Sequence, residues 1–503
     1  MKSLKEFKGE LKEKCTKKNL LFLLEMCFYG YFFLQMSLNL CHGAEAAYQV
    51  IRDGFNYEAI CYLLGIVIVA TRAQIWHWIP MVAAGLYTGG CCLYLHKMMF
   101  ASEMLRATEM KMLAYGLFGV LIIDLLIRRQ YVKLKERNWV LTGILLFAVL
   151  TTWIFCKGGS NTIYFLCPFA VVYCVRITEE KWKQLLMCFT VAYVISVAWI
   201  FGNSLLLVPY TGGRYWGVFL NLSTIGLFSA GAAVCGLFWI FMRKKDRWKL
   251  SWRYLPAVLC ILGGLAAVSM ISARTAQLGF ICVIAFVIIF CPAKGDIGVV
   301  RKRFFIVAGS GVILLLCGFG VLWGLYQIDK ETLREYISND IIYNNVAYWH
   351  GRARTMFRAE SRVFEHGTLL AMLDRFGSGR LGIWLEYIAN LNLFGHTTTY
   401  LEEMKPHRTH AHNTYISFLY NYGIVPGGAF LCWYAALFIT AVKKNLKGNI
   451  IYLLPTLWLV LALGGMLTDT FFWIYPTQFV LLFLLYPLMV NIEKKEKETN
   501  AES

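Results

Sequence analysis

Charge is scarce in this 503-residue chain: only 16% of its residues are Asp, Glu, Lys or Arg, against roughly a quarter in soluble globular proteins. Apolar side chains take their place, at 58% of the whole, with 16% aromatic. Apolar runs of about 18 residues or more recur along nearly the whole length, each long enough to cross a hydrocarbon core ~30 Å thick. A single run of this kind is as easily a buried core helix, but a dozen in series excludes a soluble multidomain protein. Any cysteine pattern for a metal or disulfide framework is also missing. Most of the sixteen cysteines, Cys27, Cys61, Cys167, Cys188, Cys235, Cys260 and Cys282 among them, lie inside apolar runs, where a free thiol behaves as a small hydrophobe. Cys91-Cys92 is the one close spacing, no CxxC occurs, and the segment 328–411 has no cysteine. Structural zinc and a disulfide scaffold are therefore not expected. Nor is a cleavable signal peptide, because the first apolar run is too long and lacks a small-residue cleavage site. No repeat of 20–50 residues and no low-complexity tract is visible.

The net charge of +19 raises the question of nucleic acid, and its placement answers it. Basic residues cluster just outside apolar runs: at 2–18, 128–137, 243–253, Arg301-Lys302-Arg303, Lys443-Lys444-Lys447 and Lys494-Lys495-Lys497. Cytoplasmic loops of membrane proteins carry such clusters, and no basic stripe lies on a water-soluble element. No nucleic-acid partner is expected; membrane lipids are.

The pattern predicts an all-α polytopic membrane protein of about fourteen transmembrane helices with one large helical extracytoplasmic loop. Spans are expected near 20–41, 57–71, 75–97, 110–127, 139–156, 160–176, 184–208, 216–242, 254–272, 275–292, 304–327, 412–441, 450–468 and 471–491. The domains are then a basic cytoplasmic N-terminus (1–19), helices 1–11 (20–327), the external loop (328–411), helices 12–14 (412–491) and a cytoplasmic tail (492–503). Alternating sides through these spans puts every basic cluster in the cytoplasm. It also puts four segments on one external face: 209–215, 272–275, the long loop and the turn 469–473.

A loop of about eighty residues is expected to fold as a cap or lid. One amphipathic helix is predicted near 345–373, with Arg354, Arg358 and Arg362 at i, i+4 and i+8. A second is predicted near 381–392, with Leu381, Trp384, Leu385, Ile388 and Leu391 at helical spacing. Both read as amphipathic enough to lie on a bilayer surface. Gly377-Ser378-Gly379 separates them, and Arg380 opens the second.

The candidate chemistry lies on that external face. Arg214 follows Gly212-Gly213 and precedes a span, and Arg274 lies between two spans almost without a connector. An arginine at a hydrocarbon boundary needs a partner, which lipid headgroups alone can supply. Several on one face, with Arg380 and the loop arginines, point to an anion site, and guanidinium suits phosphate. His410-Ala411-His412-Asn413 stands where the loop returns to the membrane, and histidine accepts a proton near neutral pH. Zinc held by His396, His407, His410 and His412 fits no familiar ligand spacing. The loop acids Glu360, Glu365, Asp374, Glu386, Glu402 and Glu403 read as arginine partners rather than a glycosidase pair. Glu25, Asp124, His42, His77 and His96 read as packed or interfacial, and Asn221 as turned toward the arginine face.

Three segments resemble the O-antigen ligase and O-antigen polymerase superfamily of bacterial envelope enzymes. Gly213-Arg214-Tyr215-Trp216-Gly217-Val218-Phe219-Leu220-Asn221 is similar to the family's Arg-x-x-Gly segment, and Ser272-Ala273-Arg274-Thr275 to its Ser-x-Ser-Arg-type turn. SGRLGIWLEYIANLNLFG, followed by HAHNTYISFLYNYGIVPGGAF, resembles the end of the large periplasmic loop, with Arg380, Trp384, Gly395, His412-Asn413 and Gly423 in order. Leu222-Ser223 stands where the family often continues Pro-Asn after the asparagine, and Pro426 interrupts the glycine-rich tail. The resemblance covers about residues 200–440. It implies transfer of a glycan from a polyprenyl-diphosphate carrier to an acceptor hydroxyl, on a glycan or a lipid, at the outer face of the bacterial cytoplasmic membrane. No metal or other cofactor is implied, because the donor brings its own leaving group. It casts Arg214 and Arg274 as catalytic diphosphate ligands and His412 as the residue that takes or orients the acceptor's proton. Arg380, Asn221 and Asn413 are cast as substrate-binding. Fourteen spans lean toward a polymerase of capsular or exopolysaccharide repeat units over a ligase. A transporter of lipid-linked glycan is the reading from another class, and it predicts polar residues deep in many spans.

Overall fold

A computed structural model describes residues 17–45, 52–70, 112, 114–123, 126, 131–156, 169–210, 215, 222–242, 252–291, 296–337, 339–357, 368, 370–371, 374, 379–396, 411–468 and 481–492. Among them the chain is almost entirely helical, with no strand beyond two isolated bridges. The principal helices are α1 (Lys17–Glu45), α2 (Arg52–Ala70), α3 (Trp139–Phe155), α4 (Glu179–Leu207), α5 (Leu222–Met242), α6 (Leu255–Ile271) and α7 (Arg274–Phe290). They continue as α8 (Ile297–Gln327), α9 (Lys330–Tyr336), α10 (Asp340–Phe357), α11 (Arg380–Ala389), α12 (Thr414–Tyr422), α13 (Ile424–Leu446) and α14 (Leu453–Met466).

Among the described residues four helices are long and apolar enough to cross a membrane: α4, the stretch Ile225–Met242 of α5, α8 and α13. Seven shorter apolar helices, such as Trp139–Phe155 and Leu255–Ile271, accompany them among the described residues. The expected span 75–97 lies outside the described residues, as do most of 160–176 and the first half of 471–491. Side chains such as Leu314 (72% exposed) and Leu316 (66%) on α8 face outward in quantity, as they do when lipid rather than water is the solvent.

The bundle closes through small residues. Antiparallel α7 and α14 touch backbone to backbone: a β-carbon on Gly279 would lie 2.7 Å from the Leu461 carbonyl oxygen, and one on Gly464 would lie 2.9 Å from the Gly279 Cα. Small residues at such crossings are the rule where packing, not hydrophobicity, holds helices together. A β-carbon on Gly226 of α5 would lie 2.8 Å from Cβ of Ala273, which fixes the turn before Arg274 against α5.

The two ends of the bundle are distinct. At one, Val132 N–H donates to Cys174 O at 2.8 Å, Asn138 N–H to Met489 O at 3.0 Å and Asn491 N–H to Glu136 O at 2.7 Å. Lys444 Nζ donates to Pro487 O at 2.7 Å there. Glu25 of α1 pairs with Lys181 of α4 and accepts from the Tyr29 hydroxyl at 2.8 Å, so it is packed and paired. These are the segments assigned by sequence to the cytoplasmic side. At the opposite end lie the described parts of the segments assigned to the external side: Tyr215, the turn at Ser272-Ala273, and 379–396 of the loop.

Two expectations change. The single span 412–441 is two helices, α12 and α13, broken at Gly423, whose φ is 90°. The break is steric: Gly423 approaches Gly395 N and Leu393 O so closely that a β-carbon would lie 2.4 Å from each, and Ile424 N–H donates to Asn392 O at 2.9 Å. The end of the loop is thus wedged into the helix. The first loop helix begins at Asp340, not 345, and is described to Phe357. Its Arg354 pairs with Asp329 at 3.3 Å, which ties α10 to the start of α9; Arg358 and Arg362 lie outside the described residues.

Candidate functional site

The end of α14 is the meeting point. Its last turn closes with Leu467 N–H on Gly464 O at 3.4 Å and Thr468 N–H on Gly465 O at 3.1 Å. The carbonyls beyond have no intrahelical donor, as at any helix C-terminus. Asn413 Nδ2 donates to Leu467 O at 3.1 Å. The Arg380 guanidinium donates to Thr468 O. The Thr468 hydroxyl donates to that of Thr275 at 3.1 Å, the residue after Arg274.

Arg274 is the first residue of α7 and is exposed. The N-cap is Ala273, whose methyl cannot accept from the first-turn amides, so the positive end of the helix and a guanidinium share one spot. Tyr215, the residue after Arg214, is pinned to the same turn by its N–H on Met270 O at 2.9 Å. Its hydroxyl lies 3.0 Å from Ser204 Oγ and donates to Val208 O at 2.9 Å. Arg214 and Asn221 lie outside the described residues.

His412 is half-buried at the head of α12. Among the described residues only Ser272 (φ 53°) and His412 (φ 52°) are non-glycine residues with left-handed backbone. One precedes Ala273-Arg274 and the other is the candidate base. Such backbone persists where the surroundings hold it, and it gathers at functional sites. Asn413 follows, buried, and its Oδ1 accepts from Ile416 N–H at 3.1 Å to cap α12. Both polar ends of its amide are therefore engaged inside the protein.

The second loop helix packs beside α12. Trp384 Nε1 donates to Ala411 O at 2.9 Å, which joins α11 to the residue before His412. Buried Asp374 accepts from Gly382 N–H at 3.0 Å and so steadies the start of α11. His396 stacks on Tyr420 at 3.9 Å between ring centroids and 7° between planes, with Nδ1 2.9 Å from Tyr420 O. It seats the loop against α12. His407 and His410 lie outside the described residues, and no group of three His, Cys, Asp or Glu able to hold a metal occurs among those described.

The structure thus brings Arg274, Arg380, His412 and Asn413 to one end of the bundle, around Leu467 and Thr468. Thr275 and Thr468 are participants to which sequence reasoning gave no role, although Thr275 lies in a segment already assigned to that face and Thr468 borders another. A scan of protein-family models finds no match to the chain, and a search of curated proteins finds none either.

Proposed function

We propose that the chain is a glycosyltransferase of the O-antigen ligase and polymerase type, acting at the outer face of a bacterial cytoplasmic membrane. The observation that carries this reading is the convergence of the Arg274 turn with the loop residue Arg380 and with His412-Asn413, just after the loop, on the end of α14. The donor is a glycan on a polyprenyl diphosphate, such as undecaprenyl diphosphate. The acceptor oxygen forms a bond to the anomeric carbon as the bond from that carbon to the diphosphate oxygen breaks, and the bonding pair leaves with the polyprenyl diphosphate. Arg274, at the positive end of α7, and Arg214 stabilise the growing charge on the leaving group. His412 receives the proton of the acceptor hydroxyl. The acceptor is the next repeat unit of a capsular polysaccharide or exopolysaccharide.

Purified protein in detergent, supplied with a polyprenyl-diphosphate oligosaccharide, tests this. Elongated glycan is expected, and Arg274→Ala is expected to abolish it with expression unchanged. Transfer to a different acceptor makes the protein a ligase instead. Undiminished product from Arg274→Ala would sink the assignment of that residue, and no product from the wild type would sink the enzyme reading.

A further inference from the structure

We propose that Arg380 and Asn413 are positioning residues, a two-footed latch that stands the loop on consecutive carbonyls just past the end of α14 and thereby sets His412 against the Arg274 turn. The proposal rests on the glycosyl-transfer reading for what the latch serves, and on geometry alone for the latch itself.

Both feet come from the loop's two sides. Arg380 is the first residue of α11, and Asn413 is the N-cap of α12. They donate to Thr468 O and Leu467 O, neighbouring carbonyls just past the last turn of one helix. A cation beside a helix C-terminus is favoured by the partial negative charge there, and an amide N–H satisfies a carbonyl that the helix cannot. The bond from Trp384 to Ala411 O closes the bracket between the feet. His412 sits in that bracket, next to one foot, in a left-handed conformation that a β-carbon disfavours. From the other foot, the Thr468 hydroxyl reaches Thr275 beside Arg274. The candidate base and the candidate diphosphate ligand are therefore indexed to the same two residues, Leu467 and Thr468, at the end of α14. With its amide donating at one end and capping α12 at the other, Asn413 is a strut rather than a substrate ligand.

The test uses the full-length protein in detergent, with Asn413→Asp, Arg380→Ala and their combination. Aspartate still caps α12 but cannot donate to Leu467 O. Each single variant is expected to lower kcat about tenfold or more, because small misplacements of a reacting group are costly, with KM for the donor lipid unchanged. Hydrogen exchange in 379–396 and 411–416 is expected to quicken in each. The double variant is expected to match the worse single one, since residues acting as one unit are not additive. Arg380→Lys, which keeps a cationic donor, is expected to restore wild-type exchange and guards against misfolding in Arg380→Ala.

A raised donor KM with unchanged exchange in Arg380→Ala would make Arg380 a substrate ligand and overturn the proposal. Wild-type exchange and turnover in Asn413→Asp, or multiplicative losses in the double variant, would overturn it equally. If the wild type transfers no glycan, the functional reading falls while the exchange data still decide on the latch: faster exchange upholds it and unchanged exchange refutes it.

Discussion

Two substitutions at His412 separate what its backbone does from what its imidazole does. At φ 52° a side chain with a β-carbon carries a penalty of about 1–2 kcal/mol that glycine escapes. Glycine in turn loses about 0.5–1 kcal/mol to the freedom it gains when unfolded. Alanine keeps the strain and, like glycine, removes the imidazole. Comparing His412→Gly with His412→Ala therefore cancels the lost ring and leaves a net difference of about 1 kcal/mol in favour of glycine. That corresponds to about fivefold in a local opening equilibrium. Hydrogen exchange read on peptides across α12 in detergent measures it, and the Gly variant is expected to exchange about fivefold more slowly than the Ala variant. Glycan transfer is measured alongside, and both variants are expected to be inactive. Full turnover in His412→Gly would show that the residue serves the turn and not the chemistry. Equal exchange in the two variants would show that the left-handed backbone stores no strain.

Gly423→Ala sets a β-carbon 2.4 Å from Leu393 O and Gly395 N at φ 90°, where neither backbone can yield; loss of the monodisperse size-exclusion peak is expected, whereas Gly428→Ala, with open space around it, is expected to elute like wild type. Lys181→Met leaves Glu25 without its cationic partner in a setting where both side chains are largely buried; about 3 kcal/mol of destabilisation is expected. Adding Glu25→Gln should recover most of it in a thermal-unfolding assay in detergent, and a double variant as unstable as the single one would refute the pairing argument.

Local properties made much of the helical layout readable. Apolar helices stand at two of the expected spans, Leu255–Ile271 at 254–272 and Trp139–Phe155 at 139–156, and the loop helix expected at 381–392 is Arg380–Ala389. Apolar runs and amphipathic spacing act residue by residue, so they survive without knowledge of neighbours. The break at Gly423 was harder, because 412–441 is apolar on both sides of it. Its signal was present all the same: a glycine followed by Pro426 in the first turn of α13 marks one helix ending and another beginning. The substrate-binding roles of Arg380 and Asn413 came with the family resemblance, which does not reveal the carbonyls of Thr468 and Leu467 as their partners within the protein.

The sequence by itself determined that this is a helical protein suited to a membrane, and it named Arg274, Arg380, His412 and Asn413 among the residues that gather at the end of α14. Hydrophobicity and charge report directly on solvent, so no fold was needed for either. Only the tertiary structure decided which polar groups meet: Asn413 with Leu467 across 54 residues, Arg380 with Thr468 across 88 and Thr468 with Thr275 across 193. A hydrogen bond depends on where two distant backbones arrive. Here that is set by the glycine contact of α7 with α14 and by the wedge of the loop at Gly423, neither of which is written in any single stretch of chain.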